Sequence, residues 1–289
     1  MITNVLMIGC GDVAIRVAAQ LGDDFQCIGV RRHIAALPAS IKGISCDLNN
    51  GLPREALPPR IDYVIITLVP GERSENGYRQ AYGDNLRGII ATLMSLSSRP
   101  KRVFFVSSTS VYGQSSGDWV DETSETLPGS YAGEHVLAGE RRVLSSGLPT
   151  TVVRFSGIYG PGRTRLITQV RDGDRRGNGY SNRIHADDAA AVLSYLLERD
   201  NSDDKLDTLY LATDCEPVML REVKTWLAEQ MALPSEANTC DKTRHVPAGD
   251  YQRGNKRCSN AKLLAEGFQY RYPTFREGYR QVLAEGGLI

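Results

Sequence analysis

Tyr131 and His135, in the run SYAGEH, stand four residues apart in a stretch with helical periodicity, so their side chains share one face. The pair sets a phenol, which titrates at about 10 when unperturbed, beside an imidazole, which titrates at about 6.5. A second string, GCGDVA at residues 9–14, joins a short apolar run to an amphipathic one. Gly9 permits a tight turn, Gly11 lets a pyrophosphate approach the backbone, and Ala14 lets a helix pack closely on a strand. Backbone N–H groups at Gly9 to Val13, Asp12 included, would face the phosphates from the helix start.

These residues need a scaffold, and the hydrophobic pattern supplies one. Apolar runs at 4–9, 25–30, 43–45, 62–69, 102–108 and 150–155 read as strands, the third of them weak. Helical spacing covers 12–21, 77–98 and 130–147, with Gly147 as the expected cap of the last. Short buried runs alternating with helices predict βαβ units and an α/β fold, a doubly wound parallel sheet of Rossmann-like form. Residues 1–155 are expected to form the dinucleotide-binding part. Residues 156–289 read mostly as a smaller substrate lobe, with helices at 187–199, 218–231 and 273–285. Some segments, such as TLYLAT at 208–213, return to the main sheet.

The second strand ends in GVRR. An NAD site usually places an acid about 20 residues beyond the glycine loop to hold the ribose 2′-hydroxyl. Arg31 and Arg32 offer cations there instead, which suits a 2′-phosphate. NADP is therefore the expected cofactor, with NAD as the alternative.

Composition narrows the setting. The chain has 289 residues, with 34 Lys plus Arg against 34 Asp plus Glu, so no global basic field exists to hold nucleic acid or an anionic membrane. No apolar run is long enough for a membrane span. The cysteines at 10, 27, 46, 215, 240 and 258 form no CxxC pair, so no metal site is expected and a reducing cytoplasm fits best. The start, MITNVLMIGCG, lacks the basic region and cleavage site of a signal peptide.

Taken in order, GCGDVA, CDL (46–48), NLRGII (85–90), VSSTSVYG (106–113), VRFSGIYGPG (153–162) and NRIHADDAA (182–190) resemble the motifs of an extended short-chain dehydrogenase/reductase. The similarity is to the NAD(P)-dependent epimerase/dehydratase branch, and it spans residues 4 to about 195. It implies an oxidoreductase, epimerase or dehydratase acting on a nucleotide-activated sugar or a related carbonyl or hydroxyl compound. It also implies that Asp47 and Leu48 lie near the adenine, and that Thr67 and Leu68, at the end of the fourth strand, border the cofactor. Ser108 would hydrogen-bond the reacting oxygen, and Tyr131 would move the hydroxyl proton.

One position departs from that family. His135 stands where the family has a Lys whose charge lowers the pKa of the Tyr and whose ammonium bonds the nicotinamide ribose. An opposite charge nearby shifts an acid's pKa by about 1–3 units, and a neutral imidazole supplies little of that. Arg141, Arg142 and Arg154 are the cations near enough in sequence to stand in. The alternative is a catalytically silent dinucleotide-binding redox sensor or regulatory protein.

On the substrate side, Arg163, Arg165, Arg175, Arg176 and Arg183 form a local arginine excess that suits a pyrophosphate. Arg163 and Arg183 are the substrate candidates among them, and the resemblance of residues 244–268 to the family's C-terminal motif adds Asn255, with Arg257 and Lys262 behind it. His185 reads as a packed strand histidine and Asp187 as a helix cap. The resemblance also implies a homodimer, with the 77–98 and 130–147 helices as its expected faces.

Overall fold

A computed structural model of the chain describes residues 2–234 and 254–289. Cys240 and residues 244–253 of the C-terminal segment lie outside the described residues. The first half runs β1 (Thr3–Ile8), α1 (Asp12–Gln20), β2 (Phe25–Arg31), β3 (Ile41–Ser45), β4 (Tyr63–Ile66), α2 (Glu75–Arg79), α3 (Leu86–Met94), β5 (Arg102–Ser108), β6 (Asp118–Val120), α4 (Tyr131–Leu144) and β7 (Thr150–Phe155). There follow β8 (Gly157–Tyr159), α5 (Arg165–Arg171), β9 (Tyr180–Ser181), β10 (Arg183–His185), α6 (Ala186–Asn201), β11 (Leu209–Ala212), β12 (Val218–Met219) and α7 (Leu220–Gln230). The last elements are β13 (Lys256–Cys258), α8 (Ala261–Ala265) and α9 (Phe275–Glu285).

Seven strands form one parallel sheet in the order β11-β7-β5-β4-β1-β2-β3. The strands are apolar on both faces because both faces are covered, as a parallel sheet with crossover helices requires. Leu6, Ile8, Val64, Ile66 and Phe105 point into one core with Leu86, Ile89, Val136 and Val143 of α3 and α4. Their neighbours Val5, Met7, Tyr63, Ile65 and Phe104 point the other way, against Val13 and Val17 of α1 and Leu193 and Leu196 of α6. A third cluster, built from Tyr159, Val170, Leu227, Phe275 and Tyr279, joins α5, α7 and α9.

The expected helix over 77–98 differs in detail. It starts at Glu75, capped by Ser74, and passes through a π-helical stretch at Gln80–Asn85 before α3. The wider turn carries Tyr82, whose hydroxyl donates to Leu68 O at 3.0 Å. Helix α4 ends at its cap Ser145, and Gly147 takes its positive φ of 79° two residues later. Two- and three-residue strands such as β6 and β13, which pair in parallel, carry no periodic signal and were not legible in the sequence.

Candidate cofactor and active site

The glycine turn after β1 is fixed from two sides. Gly9 and Cys10 donate to Val30 O at 3.1 and 3.0 Å, and Thr67 Oγ1 donates to Gly9 O at 2.7 Å. Gly9 has φ of 81°, and a Cβ there would stand 2.4 Å from Thr67 O, so only glycine fits. Gly11 differs. It is the extended N-cap of α1, and a Cβ on it would meet only Gly9 O, at 3.7 Å. The space before Gly11 is thus open, at the helix end where backbone N–H groups favour an anion. Val13 and Ala14 are buried behind it, and Asp12 opens the helix.

The other cofactor candidates follow along the carboxyl ends of β2, β3 and β4. Arg31 is half-buried and Arg32 exposed. The Arg31 charge partly offsets the burial that pushes the Cys10 thiol up to about 11. Asp47 accepts from Asn49 N at 3.1 Å and caps the turn that carries the half-buried Leu48. Asn49 Oδ1 accepts from Asn85 Nδ2 at 3.1 Å, and Asn85 Oδ1 accepts from Gln80 Nε2 at 3.0 Å. A cavity of about 380 Å³ lies there, lined by Asn49, Gly71, Gln80 and Asn85 among others. Asn49 and Gln80 were not singled out in the sequence, where isolated amides carry no motif. Leu68 packs into the core.

Ser108, Tyr131 and His135 come from two elements in contact. Ser108 ends β5, and its Oγ accepts from Ser110 N at 3.1 Å, which leaves the hydroxyl proton free to donate elsewhere. Ser130 caps α4 by accepting from Gly133 N at 3.2 Å. A Cβ on Gly133 would lie 2.4 Å from Ser110 O, so the helix start presses directly on the turn that follows Ser108. Tyr131 is the first residue of α4; its hydroxyl donates to Arg73 O at 3.3 Å, and its ring meets Tyr78 edge-on with centroids 5.7 Å apart. His135 lies one turn on and is half-buried.

The three arginines considered as stand-in cations are placed elsewhere. Arg154 is buried; its Nε and Nη2 bond the Glu140 carboxylate at 2.9 and 2.7 Å, and its Nη1 donates to Tyr112 Oη at 2.7 Å. Ser107 Oγ donates to the same carboxylate. Arg142 donates to Tyr82 O at 2.7 Å, and Arg141 is exposed. Burial pushes the Tyr112 phenol up to about 12, against the pull of Arg154. This buried network braces the strand end that carries Ser108. Removing one partner leaves an uncompensated charge, so Glu140→Ala is expected to cost about 3–5 kcal/mol of stability, read from chemical denaturation. A change within about 0.5 kcal/mol, the usual range for surface substitutions, would show that the network bears little weight.

The substrate candidates do not converge. Arg163 reaches the helix start after the glycine turn, with Nε and Nη2 at 3.3 and 3.1 Å from Asp12 Oδ2. Arg183 is buried over the rings of Phe275 and Tyr279 and bonds Ser181. Asn255 ties β9 to the loop before β6: its Oδ1 accepts from Tyr180 N at 2.8 Å and its carbonyl from Gly117 N at 2.7 Å. Arg257 stacks between Trp119 and Tyr180, and Lys262 pairs with Asp207 at 2.8 Å. Arg175 and Arg176, with Arg221 and Asp174, line a separate cavity of about 760 Å³.

His185 is a packed histidine, fully buried between Tyr159 and Tyr272. Its Nδ1 accepts from Asp187 N at 3.2 Å, so Nε2 carries the proton toward Gln281 Oε1 at 3.1 Å. Burial lowers its pKa. This makes His185 the N-cap of α6, in place of Asp187. The Asp187 carboxylate is drawn instead to Arg16 of α1. Among the described residues, no helix is long and apolar enough to cross a membrane, and no group of three His, Cys, Asp or Glu could hold a metal ion.

A seven-stranded parallel sheet with helices on both faces and a glycine turn opening α1 defines a Rossmann-like α/β protein. Residues 10–211 match the model of the NAD dependent epimerase/dehydratase family, and the chain belongs to that family. It is similar to a candidate NAD-dependent epimerase/dehydratase from Methylobacillus flagellatus, at 31% identity over 99% of this chain and 100% of that one, with a TM-score of 0.78. A protein of unknown function from Silicibacter pomeroyi is 26% identical over 98% of this chain and 99% of that one, with a TM-score of 0.73. MoeE5, solved with UDP-glucose and NAD, shares the fold at 23% identity, 99% and 100% coverage and a TM-score of 0.77. No curated protein matches the chain.

Proposed function

We propose that the chain is an NAD(P)-dependent oxidoreductase, epimerase or dehydratase that acts on a nucleotide-activated sugar or a related carbonyl or hydroxyl compound. The observation that carries this reading is the open space before Gly11, framed by a turn that Thr67 and Val30 hold rigid. Gly9, Gly11 and the backbone N–H groups of Asp12 and Val13 would receive the pyrophosphate. Asp47 and Leu48 would border the adenine, and Thr67 and Leu68 the middle of the cofactor. When bound, the nicotinamide supplies a hydride acceptor or donor. Tyr131 would pass the hydroxyl proton, and Ser108 would donate to the reacting oxygen, at the carboxyl end of β5 where open α/β sheets take their ligands.

The substrate class draws on two supports. MoeE5 and the UDP-glucuronic acid 4-epimerase of Bacillus cereus were solved with NAD and UDP-sugars. In this chain the cavity lined by Arg175, Arg176 and Arg221 suits an anionic group. We read residues 156–289 as the substrate side. Arg183 and Asn255 would act there by shaping the walls, since both are tied to neighbouring strands. A homodimer would use the solvent faces of α3 and α4, where Arg87, Ala91, Glu134, Ala138 and Arg141 are exposed; light scattering tests it. The free thiols of Cys10, Cys27, Cys46, Cys215 and Cys258 fit a reducing, cytoplasmic setting.

Arg31 and Arg32 favour NADP. Losing one charge-assisted contact to phosphate costs about 1.5–3 kcal/mol, or roughly ten- to a hundredfold in affinity. Arg31→Ala and Arg32→Ala are therefore expected to weaken NADP binding while sparing NAD. Wild-type protein that binds NAD at least as well would show the arginines to be ordinary surface residues. The enzyme reading itself is tested with NADPH or NADP and a panel of nucleotide sugars and carbonyls, followed by nicotinamide absorbance and product analysis. Cofactor binding without turnover on the whole panel would favour the silent sensor, the reading that His135 in the Lys position supports.

A further inference from the structure

We propose that Arg163 is a pyrophosphate ligand of the cofactor, held in place by Asp12 until the dinucleotide arrives. The inference rests on the cofactor reading above and adds a residue from the far side of the chain. Asp12 occupies the first turn of the helix that would receive two phosphate charges. A carboxylate there favours the helix dipole but repels a diphosphate. Two arginines hold that carboxylate. Arg16 Nε bonds Oδ1 at 2.9 Å, and Arg163 bonds Oδ2 through Nε and Nη2.

The two arginines have different attachments. Arg16 also bonds Asp187 at the start of α6, so it is fixed between two carboxylates. Arg163 comes from a turn at 160–163, closed by Arg163 N donating to Gly160 O at 3.0 Å. Its side chain is 39% exposed, and among the described residues Nη1 makes no hydrogen bond. A guanidinium has five donors in a planar fork. Arg163 can therefore turn unused donors to a phosphate oxygen while Arg16 keeps Asp12 paired. The turn after β8 would then close over the pyrophosphate, and Arg163 serves the cofactor and not the substrate.

The test is calorimetric titration of NAD and NADP into wild type, Arg163→Ala and Asp12→Asn, with thermal unfolding to confirm each fold and Gly11→Val as the non-binding control. Arg163→Ala is expected to weaken both cofactors alike, by about tenfold or more. Asp12→Asn removes the repulsion and is expected to bind as tightly as wild type or tighter. A simple structural staple gives the opposite pattern, because both variants break the same pair and would lose affinity together. Unchanged binding by Arg163→Ala, or parallel losses in the two variants, overturns this inference alone. A wild type that binds neither dinucleotide overturns the cofactor reading and this inference with it.

Discussion

Tyr131→Phe is expected to lower turnover by about 10²–10⁴-fold, the usual share of a positioned acid/base, with cofactor affinity little changed. The substitution removes the transferable proton and keeps the ring that packs on Tyr78. His135→Lys is the companion change. It places a cation one helical turn from Tyr131, on the same face. A tyrosine beside a cation ionises at lower pH, so activity should rise, and rise most near neutrality. The gain should fade as pH climbs toward about 10, where a phenol ionises unaided. A rate gain that is flat with pH would mean that the Lys acts by another route. The positions of Arg154 and Arg142 sharpen this test, since both guanidiniums are committed to Glu140 and to Tyr82 O.

Gly11→Val should abolish dinucleotide binding in a protein that still folds. The nearest atom to a Cβ at Gly11 is Gly9 O at 3.7 Å, so the polypeptide itself has room for the first carbon. The branched side chain instead fills the space a pyrophosphate needs. Circular dichroism and thermal unfolding should match wild type while calorimetry shows no heat of binding. Gly9 would make a poor test of the same point. A Cβ at that position would strike Thr67 O at 2.4 Å, and any loss of binding would reflect a distorted turn.

Much of the fold was legible because its signals are local. Of the first five strands all but β3, whose IKGIS run is half exposed, are largely buried apolar runs, and the glycine turn falls between the first strand and first helix, where the motif requires it. Gly9 was readable as a turn residue, though its partner Thr67 is 58 residues away and no spacing rule connects them. Asp187 misled for a related reason. It looks like a cap by residue type, but His185 is closer to the helix end, and Arg16 from a distant helix draws the carboxylate away. Arg163 shows the same limit. Its place on Asp12 joins residues 151 apart, and an arginine in a glycine-rich run reads only as one of five. The Ser108 and Tyr131 positions came from motif order, whereas the contact that joins their elements depends on Gly133, whose close approach to Ser110 O only the structure shows.

The proposed function depends on a nicotinamide dinucleotide bound at the carboxyl edge of the sheet. Calorimetric titration of the purified wild-type chain with NADP and with NAD tests it most directly. Saturable binding of one dinucleotide per chain is expected, with NADP the tighter of the two. Absence of binding by both would contradict it.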